Sequence, residues 1–281
     1  ALFAPSAGIV NPWEFALAMG EQAVENGVDL KLCWEVASIK KEGENFVITG
    51  KNGEVIEAKF VVNAAGVYSD TVANMIGDES FTIDSSRGQY YLLDKSQGEL
   101  FGHVMFQCPG PLGKGVLVAP TVHGNLIVGP DANPGCEKDD VSTDRDGLAN
   151  VVATSKKTTT AVNFRECIRN FAGLRSEPST HDFIVGFSEA DDHFMNIAGI
   201  KSPGLSSSPA IGEYVIEILE DCGLIMTEKA EWSYPDAHIC FAELSNEEKA
   251  ELCKRNPKYG NVICRCNVVT EGEILDALEN S

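Results

Sequence analysis

The sequence predicts an α/β fold interrupted by an α+β block, on three observations. Phe60, Val61 and Val62 form an apolar run suited to a strand buried on both faces of a parallel sheet. Asn63-Ala64-Ala65-Gly66 follows with almost no side-chain bulk, and Val72, Ala73, Met75 and Ile76 then recur at helical spacing, giving a strand, a tight small-residue turn and a helix. Between residues 89 and 128 the texture changes to short β-type runs separated by glycine and proline, the pattern of an antiparallel sheet. Strand and helix patterns alternate again from residue 182, and short helical segments close the chain after Trp232. The expected domains are 1–80 continued by 182–232, then 81–181, then 233–281.

Asn11-Pro12-Trp13-Glu14 opens the first helix, with Asn11 as N-cap, Pro12 at the first helical position and Glu14 in an acidic first turn. Phe15, Ala16, Met19, Ala23 and Val24 carry it to a stop at Asn26-Gly27. Residues 30–40, 45–49 and 54–60 are the expected strands of a small meander, with Lys51-Asn52-Gly53 as a hairpin turn. In the middle block, 89–94, 103–108, 116–119 and 126–128 read as strands, with His123-Gly124-Asn125 as a turn. Residues 144–155 pattern as a helix through Leu148, Val151 and Val152, and 168–174 as a returning strand. Residues 183–185 and 196–200 are again strands. Ser202-Pro203-Gly204-Leu205 reads as a loop, and Ser208-Pro209 as the cap of a helix with the face Ile211, Val215, Ile218 and Leu219. Such a helix start turns unpaired backbone N–H groups toward whatever lies beyond it. From the residues alone, an ordinary βα connection at 63–66 and a plain capped helix at 202–209 remain open readings. Ser245-x-x-Glu248 and Thr270-x-x-Glu273 are capping-box patterns for two C-terminal helices, the second carrying Ile274, Leu275 and Leu278.

The 281 residues suffice for more than one domain. With 42 acidic against 22 basic residues the net charge is −20, which repels phosphate backbones and anionic membranes and argues against nucleic-acid binding. No apolar run approaches the roughly 20 residues of a bilayer span and no signal-peptide pattern opens the chain, so a soluble, cytoplasmic protein is expected. Nine cysteines, scattered mostly singly through apolar segments, do not form a disulfide framework.

VVNAAGVYSD, residues 61–70, resembles the second flavin-contacting segment of the D-amino-acid oxidase-like FAD oxidoreductases. GIVNPWEFALAM, FAGLRSEPSTHDFIVG and IAGIKSPGLSSSPAIGEYV fit the same family in the same order, from about Pro5 to Trp232. They look most like the branch containing anaerobic-type glycerol-3-phosphate dehydrogenases and L-2-hydroxyglutarate oxidases. The resemblance implies a Rossmann-like FAD-binding domain built from 1–80 and 182–232, and an antiparallel-sheet substrate domain at 81–181. No G-x-G-x-x-G occurs in the sequence, although this family opens with that fingerprint, whose glycines and helix N-terminus hold the FAD pyrophosphate. The FAD-binding domain is therefore expected to be incomplete, the chain to be an inactive fragment of a longer enzyme, and its own FAD binding to be weak or absent. A homodimer covering the apolar surface so exposed is the corresponding expectation.

The resemblance also assigns residues. The turn Asn63, Ala64, Ala65 and Gly66 would lie beside the dinucleotide, and Ser202, Pro203, Gly204 and Leu205 would meet the pyrimidine edge of the flavin. Arg175, in FAGLR, is the first candidate for gripping the substrate, because a guanidinium binds carboxylate or phosphate bidentately and family members use an arginine at this position. Arg87, in SSRGQYYLLD, is the second, with Tyr90 or Tyr91. Alternation puts the two tyrosines on opposite faces, so only one can face the site, and Tyr90 is taken as catalytic. Each of these residues also reads as an ordinary surface or core position. His103, His123, His181, His193 and His238 are isolated and lack metal-ligand spacing, and only His181, beside Asp182, is an active-site candidate. The general base is expected upstream of the chain.

Val262-Ile263-Cys264-Arg265-Cys266, within ICRCNVVTEGEILDAL, resembles the start of the bacterioferritin-associated-ferredoxin-like [2Fe-2S] domain. Such a cluster needs four thiolates, and the motif holds only Cys264 and Cys266, with Cys240 and Cys253 outside it. Two free thiols is the other reading, and no assembled cluster is expected in this chain. The implied activity is oxidation of a secondary hydroxyl on a small anionic substrate, glycerol 3-phosphate to dihydroxyacetone phosphate, with L-2-hydroxyglutarate oxidation as the alternative. Electrons would leave toward an iron-sulfur centre or an electron-transfer subunit. A non-catalytic scaffold or electron-transfer subunit is the rival of a different class.

Overall fold

Asn11 Oδ1 accepts the backbone N–H of Trp13 at 3.0 Å and so starts α1 (Pro12–Glu25) at the expected place, although no residue of this helix is buried. The computed structural model describes residues 2–108, 110, 115–234 and 238–279. They fall into two compact units, Ala1–Gly20 with Asp29–Ala230, and Glu21–Val28 with Glu231–Ser281. Among the described residues no helix is long and apolar enough to cross a membrane.

In the larger unit, β1 (Val36–Glu42), β2 (Asn45–Gly50) and β3 (Val55–Ala58) form the antiparallel meander. Its first strand starts later than residue 30 because Cys33 takes a left-handed φ of 54°, which breaks an extended run. β4 (Val61–Asn63) leads through the small-residue turn to α2 (Ser69–Asn74). Val61 packs with Phe46 and Phe194, but Val62 on the opposite face is 39% exposed, so the strand is covered on one face rather than two.

β5 (Ile83–Leu93) begins six residues ahead of the expected strand and is the spine of the middle block. β6 (Leu117–Pro120), β7 (Leu126–Gly129) and β8 (Asn133–Cys136) follow, then α3 (Arg145–Ser155) and β9 (Cys167–Pro178). β9 runs antiparallel along the whole of β5, from Ile83 opposite Pro178 to Leu93 opposite Cys167, while β7 and β8 pair with the two ends of β5. The expected strand at 103–108 reduces to one bridge, Met105 to Val118. β8 was hidden because Asn133-Pro134-Gly135 reads as a turn, and the proline fits only because the strand lies at the sheet edge. Leu93, Val116, Val118, Leu126, Val128 and Val151 make the core between this sheet and α3.

β10 (Ile184–Phe187), β11 (Phe194–Ala198) and β4 form a second sheet in that order, β11 parallel to β4. α4 (Gly204–Asp221) starts ahead of the expected cap and carries Pro209 inside it. Proline has no N–H for the Leu205 carbonyl, and the Ser208 hydroxyl donates to that oxygen instead, at 2.8 Å. In the smaller unit, α5 (Asn246–Arg255) opens with both halves of its capping box, and β12 (Val262–Cys264) pairs with β13 (Val269–Thr270) ahead of α6 (Glu271–Glu279). Phe241, Leu252 and Tyr259 are its core.

Candidate active site

The register of β5 against β9 sorts the candidate residues. Ser86 lies opposite Arg175, Gly88 opposite Gly173 and Tyr90 opposite Phe171, so these six share one face of the sheet. That face walls a cavity of about 1170 Å³, to which Ser86, Tyr90, Arg175 and Glu177 contribute with Asp131 and Ser202. Tyr90 stacks on Phe171 with ring centroids 5.1 Å apart and planes within 9°. Burial pushes the Tyr90 phenol up, the Arg175 guanidinium beside it opposes the rise, and Asp131 adds to it. Gly88 makes room for the arginine, because a Cβ there would stand 2.8 Å from Arg175 Nη2.

Arg87 does not join this site. Odd-numbered residues of β5 face the other way, and there Arg87 Nη1 donates to Asp140 at 2.6 Å and to Ser142 at 2.8 Å, while Nη2 donates to Asp144 at 2.5 Å. Its charge is spent on the segment leading into α3. Gln89 beside it is fully buried, bonded to both Asp131 and Asp144. Tyr91 also faces away, edge-on to Phe164. His181 has a side chain 85% exposed and a left-handed φ of 62°, and does not line the cavity.

The small-residue turn is shaped from beneath. Asn63 is buried, and its amide donates to Ser69 O at 2.8 Å and Asn196 Oδ1 at 2.9 Å while its Oδ1 accepts from Ala65 N–H. Asn196 in turn donates to Asp78, which also accepts from Ser188. Ala64, Ala65 and Gly66 are left exposed, Gly66 at φ 59° with open space where a Cβ would be. Ser202 is on the cavity wall, Pro203 heads α4 with no side-chain cap, and Gly204 is buried against Ile200. Leu205 is partly exposed. Lys201 pairs with Glu177.

Sequence reasoning missed Ser86, Asp131, Ser176, Glu177 and Lys201. Only Ser86 left a usable signal, since a residue directly opposite Arg175 must share its face once the pairing is known. Asp191, Asp192 and His193 bring three ligand-type atoms within 4.8 Å of one another, contrary to the reading of His193 as isolated. Asp191 is already held by Lys41 at 3.0 Å and by the His193 N–H at 2.9 Å, which explains the cluster as an ion pair.

A cavity walled by Arg175, Tyr90 and Ser202 is a site that can take a small anionic molecule. The chain belongs to the FAD dependent oxidoreductase family, whose sequence profile matches residues 1–218. It is 45% identical to the glycerol 3-phosphate dehydrogenase of Caloramator mitchellensis over 283 residues, covering 100% of this chain and 58% of that protein. The L-alpha-glycerophosphate oxidase of Mycoplasma pneumoniae, solved with FAD bound, superposes with a TM-score of 0.71 at 30% identity, over 76% of this chain and 56% of that one. The L-2-hydroxyglutarate dehydrogenase of Salmonella houtenae is 30% identical over 149 residues, 50% of this chain and 35% of that protein. The chain thus spans a little over half the length of its glycerol 3-phosphate relatives.

The described residues fit one end of FAD. The exposed turn at Ala64–Gly66 presents backbone with open space beside Gly66, as a flat ring system requires, and the start of α4 offers backbone N–H groups with no side-chain cap. The described residues contain no glycine-rich strand-to-helix turn of the kind that holds a pyrophosphate. The iron-sulfur motif fits less well. Cys264 is half-buried on β12 and Cys266 exposed, and among the described residues no third ligand joins them. Two thiolates do not hold a [2Fe-2S] cluster.

Proposed function

We propose that this chain supplies the substrate grip and the ring-facing segments of an FAD-dependent dehydrogenase that oxidises glycerol 3-phosphate to dihydroxyacetone phosphate. The observation that carries the reading is Arg175, whose guanidinium lies on the cavity wall across Gly88 and beside Tyr90. When bound, FAD supplies the hydride acceptor. Arg175 binds the phosphate in two-point fashion, and Tyr90 remains protonated at neutral pH and donates its phenolic hydrogen. Asp131 accepts from Gln89 and Asn133, and Glu177 from Lys201, which suits both acids to holding the wall in shape. Ala64, Ala65 and Gly66 would lie against the ring from one segment, and Ser202 to Leu205 from the other.

Lys157, on the same cavity, favours a second reading. A cation there and Arg175 together would suit a dicarboxylate, as in L-2-hydroxyglutarate oxidation. A cytoplasmic setting, onward electron transfer to another subunit, and pairing of two copies through exposed residues such as Trp13 and Leu17 of α1 belong to the same proposal. The test is anaerobic bleaching of flavin-loaded protein by glycerol 3-phosphate against L-2-hydroxyglutarate, with Arg175→Gln as control. Bleaching by glycerol 3-phosphate that Arg175→Gln weakens is the expected result, and bleaching by neither compound sinks both readings.

A further inference from the structure

We infer that Ser176 and Glu177 are positioning residues that lock the anion grip of Arg175 to the two ring-facing segments. The inference rests on the function proposed above and goes beyond it. Arg175, Ser176 and Glu177 are consecutive on β9, so they face alternately. Arg175 and Glu177 line the cavity. Ser176, buried on the other face, donates its hydroxyl to Gly66 O at 3.1 Å, the carbonyl that the Ser69 hydroxyl also reaches at 2.8 Å. Glu177 accepts from the ammonium of Lys201, the residue just before Ser202. Each ring-facing segment is therefore tied by one link to a residue flanking the arginine.

The links join positions 110 and 24 residues apart in the chain, so neither is a by-product of local structure. β9 itself cannot slide, because β5 pairs with it along its length. The ties thus set how far the bound anion stands from each segment. Anion binding needs only the guanidinium, whereas hydride transfer needs the reacting atoms in contact, and a misplacement of about 1 Å can cost ~100-fold in rate. Loosening either link should slow transfer and spare binding. His181 Nδ1 lies 3.9 Å from the Glu177 carboxylate, and its exposure makes it a weaker neighbour of this link than Lys201.

The experiment uses the full chain and two variants, one on each link: Ser176→Ala and Lys201→Gln. Without flavin, hydrogen–deuterium exchange of residues 63–68 should rise roughly fivefold or more in Ser176→Ala, the worth of one hydrogen bond. Affinity for inorganic phosphate, measured by calorimetry, should not change. Arg175→Gln should do the reverse. With flavin loaded, the single-turnover bleaching rate by glycerol 3-phosphate should fall about tenfold in both link variants at unchanged substrate affinity, and Ser176→Thr and Lys201→Arg should restore it. Exchange and rate both unchanged, or phosphate affinity falling as far as in Arg175→Gln, would overturn the inference. Failure of the wild-type flavin to bleach would count against the proposed substrate alone, because the exchange comparison still decides whether Ser176 holds the turn.

Discussion

Adding one methyl group at Gly88 tests whether the Arg175 guanidinium is the anion grip. A Cβ at Gly88 would stand 2.8 Å from Arg175 Nη2, 3.2 Å from its Cζ and 2.8 Å from Pro130 Cβ, where ordinary contact begins at 3.4 Å. Ordinary contact is restored when the arginine head retreats by about 3.4 − 2.8 = 0.6 Å, and Arg175, the flexible side chain of the two neighbours, is the one to give way. Gly88 does not have a positive φ, so alanine brings crowding without backbone strain. Overpacking of this kind costs about 1–3 kcal/mol of stability. A displaced guanidinium also loses part of a charge-assisted contact worth ~1.5–3 kcal/mol, so Gly88→Ala should bind phosphate roughly tenfold more weakly. Gly173→Ala is the control: it lies directly opposite on the same face, with nothing within 4 Å of its added Cβ. Calorimetry with inorganic phosphate and thermal melting of both variants separate the two effects. A folded Gly88→Ala protein with wild-type phosphate affinity would refute the assignment of Arg175.

Arg87→Ala should lower the thermal midpoint by releasing Asp140, Ser142 and Asp144, and leave phosphate affinity as it is; a loss of affinity matching Arg175→Gln would return Arg87 to the site. For Asp78, burial pushes the carboxyl pKa up, but hydrogen bonds from Ser188, Ser80 and Asn196 outweigh it and leave the group below its ordinary value. A depressed folded-state pKa adds stability above the unfolded value of about 3.9 that is lost as the pH falls through the folded one. Urea midpoints should therefore drop below about pH 4, and Asp78→Asn should flatten that part of the profile; an unaltered profile in the variant counts against the network. Gly272→Ala would put a Cβ 2.5 Å from the Tyr259 ring, and should destabilise the smaller unit by about 1–3 kcal/mol without touching phosphate affinity, as read by limited proteolysis after residue 231.

The backbone plan was legible wherever one local rule decided it. Asn11 and Pro12 fixed the start of α1, and the two capping boxes fixed α5 and α6, because each needs only residues within one turn. Legibility failed where a partner distant in sequence overrode the local rule. Ser208-Pro209 reads as a helix cap until the serine hydroxyl is seen to satisfy the carbonyl that proline leaves open. Residues 83–88 look too polar for a strand, yet β5 runs through them. One of its faces borders a cavity, and the other carries the Arg87 and Gln89 network.

The same division runs through the site. Alternation showed that only one of Tyr90 and Tyr91 could share a face with Arg175, and the register that puts Ser86 opposite Arg175 puts Tyr90, the residue chosen from the sequence, on that face. Arg87 failed for the reason Tyr91 did, being one residue out of phase with Gly88 and so on the wrong face. Asn63 is subtler. Resemblance marked it for the cofactor, and its side chain is turned inward to Asn196 and Ser69, so what it contributes is the shape of the exposed Ala64–Gly66 backbone. A backbone surface is set by the polar groups behind it, and those groups pair across the fold. Such residues carry no motif of their own, and the links from Ser176 to Gly66 and from Glu177 to Lys201 become visible only when the strands are in register.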